Sequence, residues 1–92
     1  MRLKKEEIKI IKTIINEFDP KGEIRLFGSR IDDKKTGGDI DLLLISDIIK
    51  FPDKLSILVK LKEKLGDQKI DILIYNPKET FHRIAYKESI IL

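Results

Sequence analysis

The stretch Gly38-Asp39-Ile40-Asp41-Leu42-Leu43-Leu44 restricts the fold of this chain more than any other. Acidic and apolar residues alternate through Leu42, and a period of two belongs to a β-strand. In a strand, Asp39 and Asp41 project to one side a few ångströms apart, while Ile40, Leu42 and Leu44 point the other way into a core. Two carboxylates held that close repel each other unless a cation sits between them. One face therefore packs, and the other suits a hard divalent ion with oxygen ligands, most naturally Mg²⁺ bound together with substrate phosphates.

The remaining elements are read outward from that strand. Lys4 to Phe18 carries Ile8, Ile11, Ile15 and Phe18 at helical spacing, with Ile10 and Ile14 widening the stripe. Asp19-Pro20-Lys21-Gly22 stops it, because proline lacks an amide donor and glycine accepts turn dihedrals. Glu23 to Phe27 reads as a short strand ending at Gly28, and Ser29 starts a turn or short helix with free amides. Ile31 to Gly38 is a polar loop, in which Gly37-Gly38 permits a sharp turn or a close approach to a ligand. The second strand runs from about Asp39 to Ile45. A helix follows from near Pro52, through Leu55, Leu58, Val59 and Leu65, to Gly66. Lys69 to Tyr75 is a third strand, and a last helix from about Lys78 to Glu88 places Phe81, Ile84 and Ala85 on one face.

A strand–helix–strand connection as long as Asp39 to Tyr75 favours parallel strands with a right-handed crossover, which sets Asp41 beside Asp71. Gly28 and Ser29 reach Asp39 only if the first strand runs antiparallel to the second. The expected fold is α/β (α+β): a small mixed sheet with helices packed on one face. Gly28, Ser29, Asp39, Asp41 and Asp71 then gather at one edge of the other face. With 92 residues, 38% charged and 41% apolar, the expectation is one globular domain over residues 1–92. Cysteine is absent, so disulfides, thiolate metal sites and cysteine nucleophiles are excluded. With no long apolar span and no signal peptide, a cytoplasmic location away from membranes is expected. The net charge of +3, from 19 basic and 16 acidic residues spread along the chain, is too mild to mark nucleic acid as the main partner.

Gly28-Ser29-Arg30, then Asp39-Ile40-Asp41, then a third carboxylate, Asp71, inside a later apolar strand together resemble the minimal nucleotidyltransferase family. These are stand-alone relatives of the DNA polymerase β nucleotidyltransferase domain. The resemblance covers nearly the whole chain, although the loop between Ser29 and Asp39 is slightly shorter than usual for the family. It implies two Mg²⁺ ions bridging the acids and a nucleoside triphosphate such as ATP, with a hydroxyl attacking the α-phosphate and pyrophosphate leaving. Asp39 and Asp41 would hold the metals; Asp71 would complete the metal that activates the hydroxyl, or act as its base. Gly28 would let backbone amides approach the phosphates, Ser29 would donate to them, and Arg30 would neutralise their charge. It also implies a small helical partner of the HEPN type, either a substrate-binding subunit or a toxin. In the toxin case the nucleotidyltransferase is an antitoxin that moves AMP onto a partner tyrosine; homodimerisation is the other arrangement.

Other readings stand beside this one. A non-catalytic nucleotide- or metal-binding module would neutralise a partner by masking it, and a small-molecule nucleotidyltransferase would modify an aminoglycoside-like acceptor. Asp32 and Asp33 read as loop solvation and His82 as a surface or partner residue. Tyr75 and Tyr86 read as structural, or as acceptors of a nucleotidyl group. Ile90-Ile91-Leu92 is either core packing or an exposed patch for a partner.

Overall fold

A computed structural model of the chain describes residues 3–28 and 38–92. Their elements run α1 (Lys5–Phe18), β1 (Glu23–Phe27), β2 (Ile40–Ile45), α2 (Phe51–Leu65), β3 (Ile70–Ile74), α3 (Thr80–Glu88) and β4 (Ile90–Ile91). In α1 the Glu7 carboxylate accepts the Lys4 amide at 2.9 Å, and Glu6 and Glu7 lie against the positive end of the helix dipole. Asp53 does the same for Lys50 at the start of α2, which has Pro52 in its first turn and Gly66 as its C-cap.

The strands form one mixed sheet in the order β3-β2-β1-β4. As expected, β1 pairs antiparallel with β2, and β2 pairs parallel with β3. Ile90 and Ile91 pair with Leu26 and Arg25 as an exposed edge strand, while Leu92 packs against the core, so each alternative for the Ile90-Ile91-Leu92 segment holds in part.

Strand parity divides the sheet. Ile24, Leu26, Ile40, Leu42, Leu44, Ile70 and Ile72 face α1 and α2 and share a buried core with Ile11, Ile14, Ile15, Ile57 and Leu61. This is the helical layer that the sequence leads one to expect. The buried face of α2 is carried by Ile57 and Leu61, whereas Leu55 and Val59 are exposed. Apolar residues surround more than half of this helix, so spacing alone does not select a face. On the opposite face, α3 packs against β1. Phe81 meets Phe27 edge to face at 6.3 Å, Tyr86 lies 5.5 Å from Tyr75, and the Arg25 guanidinium sits 4.4 Å over the Tyr86 ring. The mixed sheet and its two-helix layer agree with the expectation, and α3 adds a partial cover on the second face. Of Phe81, Ile84 and Ala85, only Ala85 is buried.

At the far end of β2, Asp19 is the one buried charged residue among those described. Its carboxylate accepts the Ser46 hydroxyl at 2.5 Å and the Lys21 amide at 2.9 Å. Ser46 in turn accepts the amides of Ile48 and Ile49. One small hydrogen-bond network thus ties the α1–β1 turn to the β2–α2 turn.

Candidate active site

The register of the parallel pair sets the geometry of the site. Ile40 stands opposite Ile70 and Asp41 opposite Asp71, and residues paired in this way project to the same side of the sheet. Asp39 precedes them on the same side. Each of the three contributes a carboxylate oxygen, and these oxygens lie within 4.8 Å of one another. Asp39 and Asp41 are partly buried and Asp71 is exposed, so the cluster grades from the sheet floor to solvent.

Such a cluster concentrates like charge. Burial is the main cause that pushes the Asp41 carboxyl above the usual carboxylate range; the neighbouring charges of Asp71 and then Asp39 add to it, and Lys69 opposes them. Lys69 Nζ lies 3.5 Å from Asp39 Oδ2. Its lysine is largely exposed, so the ion pair is a weak counterweight to three carboxylates. An all-oxygen donor set with excess negative charge fits a hard divalent cation.

Gly28 closes β1 with φ +78°, a backbone conformation that favours glycine. It also abuts Asp41: a Cβ built there would collide with Asp41 Oδ2 and lie 3.3 Å from its Cγ. Phe27, the partner of Asp41 in the antiparallel pair, lies beside it on the site face. A side chain at position 28 would thus be strained by the positive φ and would displace the Asp41 carboxylate from its present position.

Asp39, Asp41, Asp71 and Gly28 are thus brought together as anticipated, while Ser29, Arg30, Asp32 and Asp33 lie outside the described residues. His82 is engaged away from the acids, its Nδ1 accepting the Asn76 amide at 2.9 Å. Sequence reasoning missed two participants. Lys69 was legible in principle, because stepping the Ile40–Ile70 register back one residue puts it beside Asp39. The second is a cavity of about 480 Å³ that adjoins Asp41 and Asp71, with Lys54 and Leu58 of α2 and Phe81 of α3 in its wall. It depends on how α2 and α3 seat on the sheet, and no local pattern encodes that.

The model of the nucleotidyltransferase domain family matches residues 8–92. The chain belongs to this family. Among curated proteins, none matches it. The α+β fold, with its mixed four-stranded sheet and three helices among the described residues, is consistent with a polymerase β-like nucleotidyltransferase. Family membership carries nucleotidyl transfer as the general activity and a nucleoside triphosphate as substrate, and members generally use divalent metals. Among the described residues of this nucleotidyltransferase, Asp39, Asp41 and Asp71 form a group that could hold a metal ion. No helix among the described residues is long and apolar enough to cross a membrane.

Proposed function

We propose that this chain acts as one minimal nucleotidyltransferase domain, moving AMP from ATP onto a hydroxyl of a protein partner. The observation that carries the reading is the convergence of Asp39, Asp41 and Asp71 within 4.8 Å on the face opposite the core. Asp39 and Asp41 would hold Mg²⁺, with Asp71 completing a second site. Two such ions supply charge neutralisation and Lewis-acid polarisation of the phosphates. Asp71, the most exposed of the three, would serve the attacking hydroxyl either through that second ion or as the base that receives its proton. The acceptor oxygen forms a bond to the α-phosphorus, the bond from that phosphorus to the bridging oxygen breaks, and pyrophosphate leaves. Gly28 leaves the β1 end open to the phosphates; Ser29 and Arg30, by their place in the motif, hydrogen-bond to them and balance their charge.

The proposed acceptor is a tyrosine of a helical HEPN-type partner, with this chain as antitoxin. The motif resemblance suggests that pairing, and the surface of α2 supports a protein partner. Phe51, Leu55 and Val59 recur every four residues on one side of the helix, all exposed, and Ile48 precedes them. An apolar stripe of this kind marks an interaction surface. The same stripe favours a second reading, in which the chain neutralises its partner by masking it without catalysis; self-association through the stripe would give a homodimer.

One experiment separates these readings. Purified protein is incubated with Mg²⁺ and α-labelled ATP, with and without a HEPN-type partner protein, beside the double variant Asp39→Asn, Asp41→Asn. Label on the partner that disappears in the variant is the expected result. Tight binding and full neutralisation by the variant, with no label in any lane, would establish masking instead.

A further inference from the structure

The cavity beside the acids reaches past them on the β3 side. Asp71, Ile72 and Leu73 all line it. Successive strand residues face opposite sides of a sheet, so a cavity touching all three follows the outer edge of β3, the last strand on that side among the described residues. Beyond that edge its wall is formed by Leu58 and Lys54 of α2, whereas Phe27 and Phe81 stand on the Gly28 side. Lys54 is the one cation lining it among the described residues. It is half-buried, its Nζ sits 5.9 Å from the centre of the exposed Phe51 ring, and no carboxylate among the described residues forms an ion pair with it. Its stem adds to the apolar surface of Leu58, Ile72 and Leu73, while the three donors of its ammonium lack an anionic acceptor.

The order of the strands says which reactant brings that anion. Gly28 ends β1 on one side of Asp41, and Asp71 lies on β3 on the other, two strand spacings or roughly 10 Å away. Displacement at phosphorus needs the attacking and leaving oxygens in line. With pyrophosphate leaving towards the Gly28 turn, the attacking hydroxyl arrives past Asp71, and the stretch of cavity beyond Asp71 receives the rest of the acceptor. We infer that Lys54 pairs there with a carboxylate of the acceptor protein, so that the chain selects a hydroxyl with an acidic side chain close beside it. The inference rests on the nucleotidyl-transfer reading of the site.

One ammonium set among Leu58, Ile72 and Leu73 matches a protein segment with a single acidic residue between apolar neighbours. A nucleic-acid acceptor would bring a row of phosphates to a wall that offers one cation. A neutral segment would leave the half-buried charge without a partner and strip some of its water. Lys54 touches none of the reacting atoms and is a specificity-determining residue: it acts on how tightly the acceptor is held.

The test uses the full chain with Mg²⁺, α-labelled ATP and a set of N-acetylated, amidated peptides. Each carries one tyrosine in an alanine-rich sequence, with Glu, Gln or Lys placed at successive positions on either side of it; a short oligonucleotide is a further acceptor. In parallel, the peptides are titrated without nucleotide while the backbone amides of Lys54, Leu58, Asp71 and Leu73 are followed by NMR. At the matching position, Glu should be preferred over Gln by about tenfold in kcat/KM, carried by KM, the scale of a hydrogen bond to a charged group. The preference should shrink at about 1 M salt, where the Debye length is about 3 Å. Lys54→Gln should abolish it, Lys54→Arg should keep most of it, and Lys54→Glu should invert it in favour of the Lys peptide, with the amide shifts following the same order. Equal use of Glu and Gln at every position, or a preference that survives Lys54→Gln, would overturn the inference while leaving nucleotidyl transfer standing. A higher KM for ATP as the only defect of Lys54→Gln would overturn it by assigning the lysine to the triphosphate, and preferential labelling of the oligonucleotide would overturn it in favour of a nucleic-acid acceptor. Glu-dependent shifts lost in Lys54→Gln, with no label transferred to any acceptor, would support the anion site while removing the nucleotidyl-transfer reading.

Discussion

The two ends of β2 hold acidic residues in opposite conditions. Near its exit, Asp19 is buried but satisfied, and the Ser46 hydroxyl is the chief cause that holds its carboxyl below the ordinary range, followed by the Lys21 amide. At its start, Asp41 is less buried yet pushed upward, because desolvation and two neighbouring carboxylates outweigh Lys69. The direction of each shift depends on whether donors offset burial: the Ser46 hydroxyl and Lys21 amide do so at Asp19, whereas at Asp41 two carboxylates add to it. The donors around Asp19 complete its shell within the protein. The shell around Asp41 is short of positive charge, which a bound cation would supply.

Asp41 is the position where substitution has the largest expected effect. Asp41→Asn should cut nucleotidyl transfer by about 10³-fold or more, as loss of a residue acting within a catalytic unit does. It should also raise the Tm of the metal-free protein by roughly a few degrees, since it removes one of two like charges directly opposite in neighbouring strands. A rate assay and a thermal melt on the same preparation check both signs. Gly28→Ala should lower transfer by about 10²-fold, the cost of displacing a catalytic group by around an ångström. Here Tm should fall, because the new methyl collides with Asp41 at a positive φ.

Asp19→Ala is the mirror case. It leaves the Ser46 hydroxyl and the Lys21 amide without their acceptor, and Tm should drop by roughly 5–10 °C while the rate per folded molecule is unchanged. Millimolar Mg²⁺ should raise the Tm of the wild type, by about 2.7 kcal/mol of added stability at a hundredfold excess over Kd. The Asp39→Asn, Asp41→Asn variant should show no such rise.

The smallest expected effect is the opposite response of the two acids to pH. In the metal-free protein Asp41 has a raised folded-state value, so as pH falls towards it the folded state takes up the proton first and stability increases. Asp19 has a depressed value, so its contribution is intact above about pH 3.9 and is lost as pH falls through its folded-state value. Denaturant melts of the metal-free chain should therefore pass through a maximum in mild acid, and Asp41→Asn should flatten the rise without touching the acid-side loss.

Much of this arrangement was legible in the residues. The alternation Asp39-Ile40-Asp41-Leu42 and its echo Ile70-Asp71-Ile72 each fix a face, and the parallel crossover between them fixes a neighbour relation, so the acidic cluster follows from parity alone. The antiparallel β1 followed from asking how Gly28 could reach Asp39. What stayed hidden depends on tertiary seating. Ile57 and Leu61 bury while Leu55 and Val59 do not, because the orientation of α2 is decided by the isoleucines of α1 and the sheet. The seat of α3 depends on the small side chain of Ala85 and on aromatic contacts made across the fold. Asp19, placed in a turn by its proline neighbour, gave no local sign that its carboxylate reaches Ser46, 27 residues away.

The packing of Gly28 against Asp41 also has a bearing on how such a sequence can drift. While the aspartate keeps its present rotamer, any other amino acid at position 28 meets its carboxylate, so the glycine is restrained by a residue thirteen positions further on as well as by its own backbone. Once the aspartate shortens or leaves, only the backbone conformation still restrains the glycine. A lineage that abandoned catalysis would thus lose the acid first and the glycine afterwards, and a descendant carrying a side chain at position 28 beside an intact aspartate should be the rarest of the four combinations.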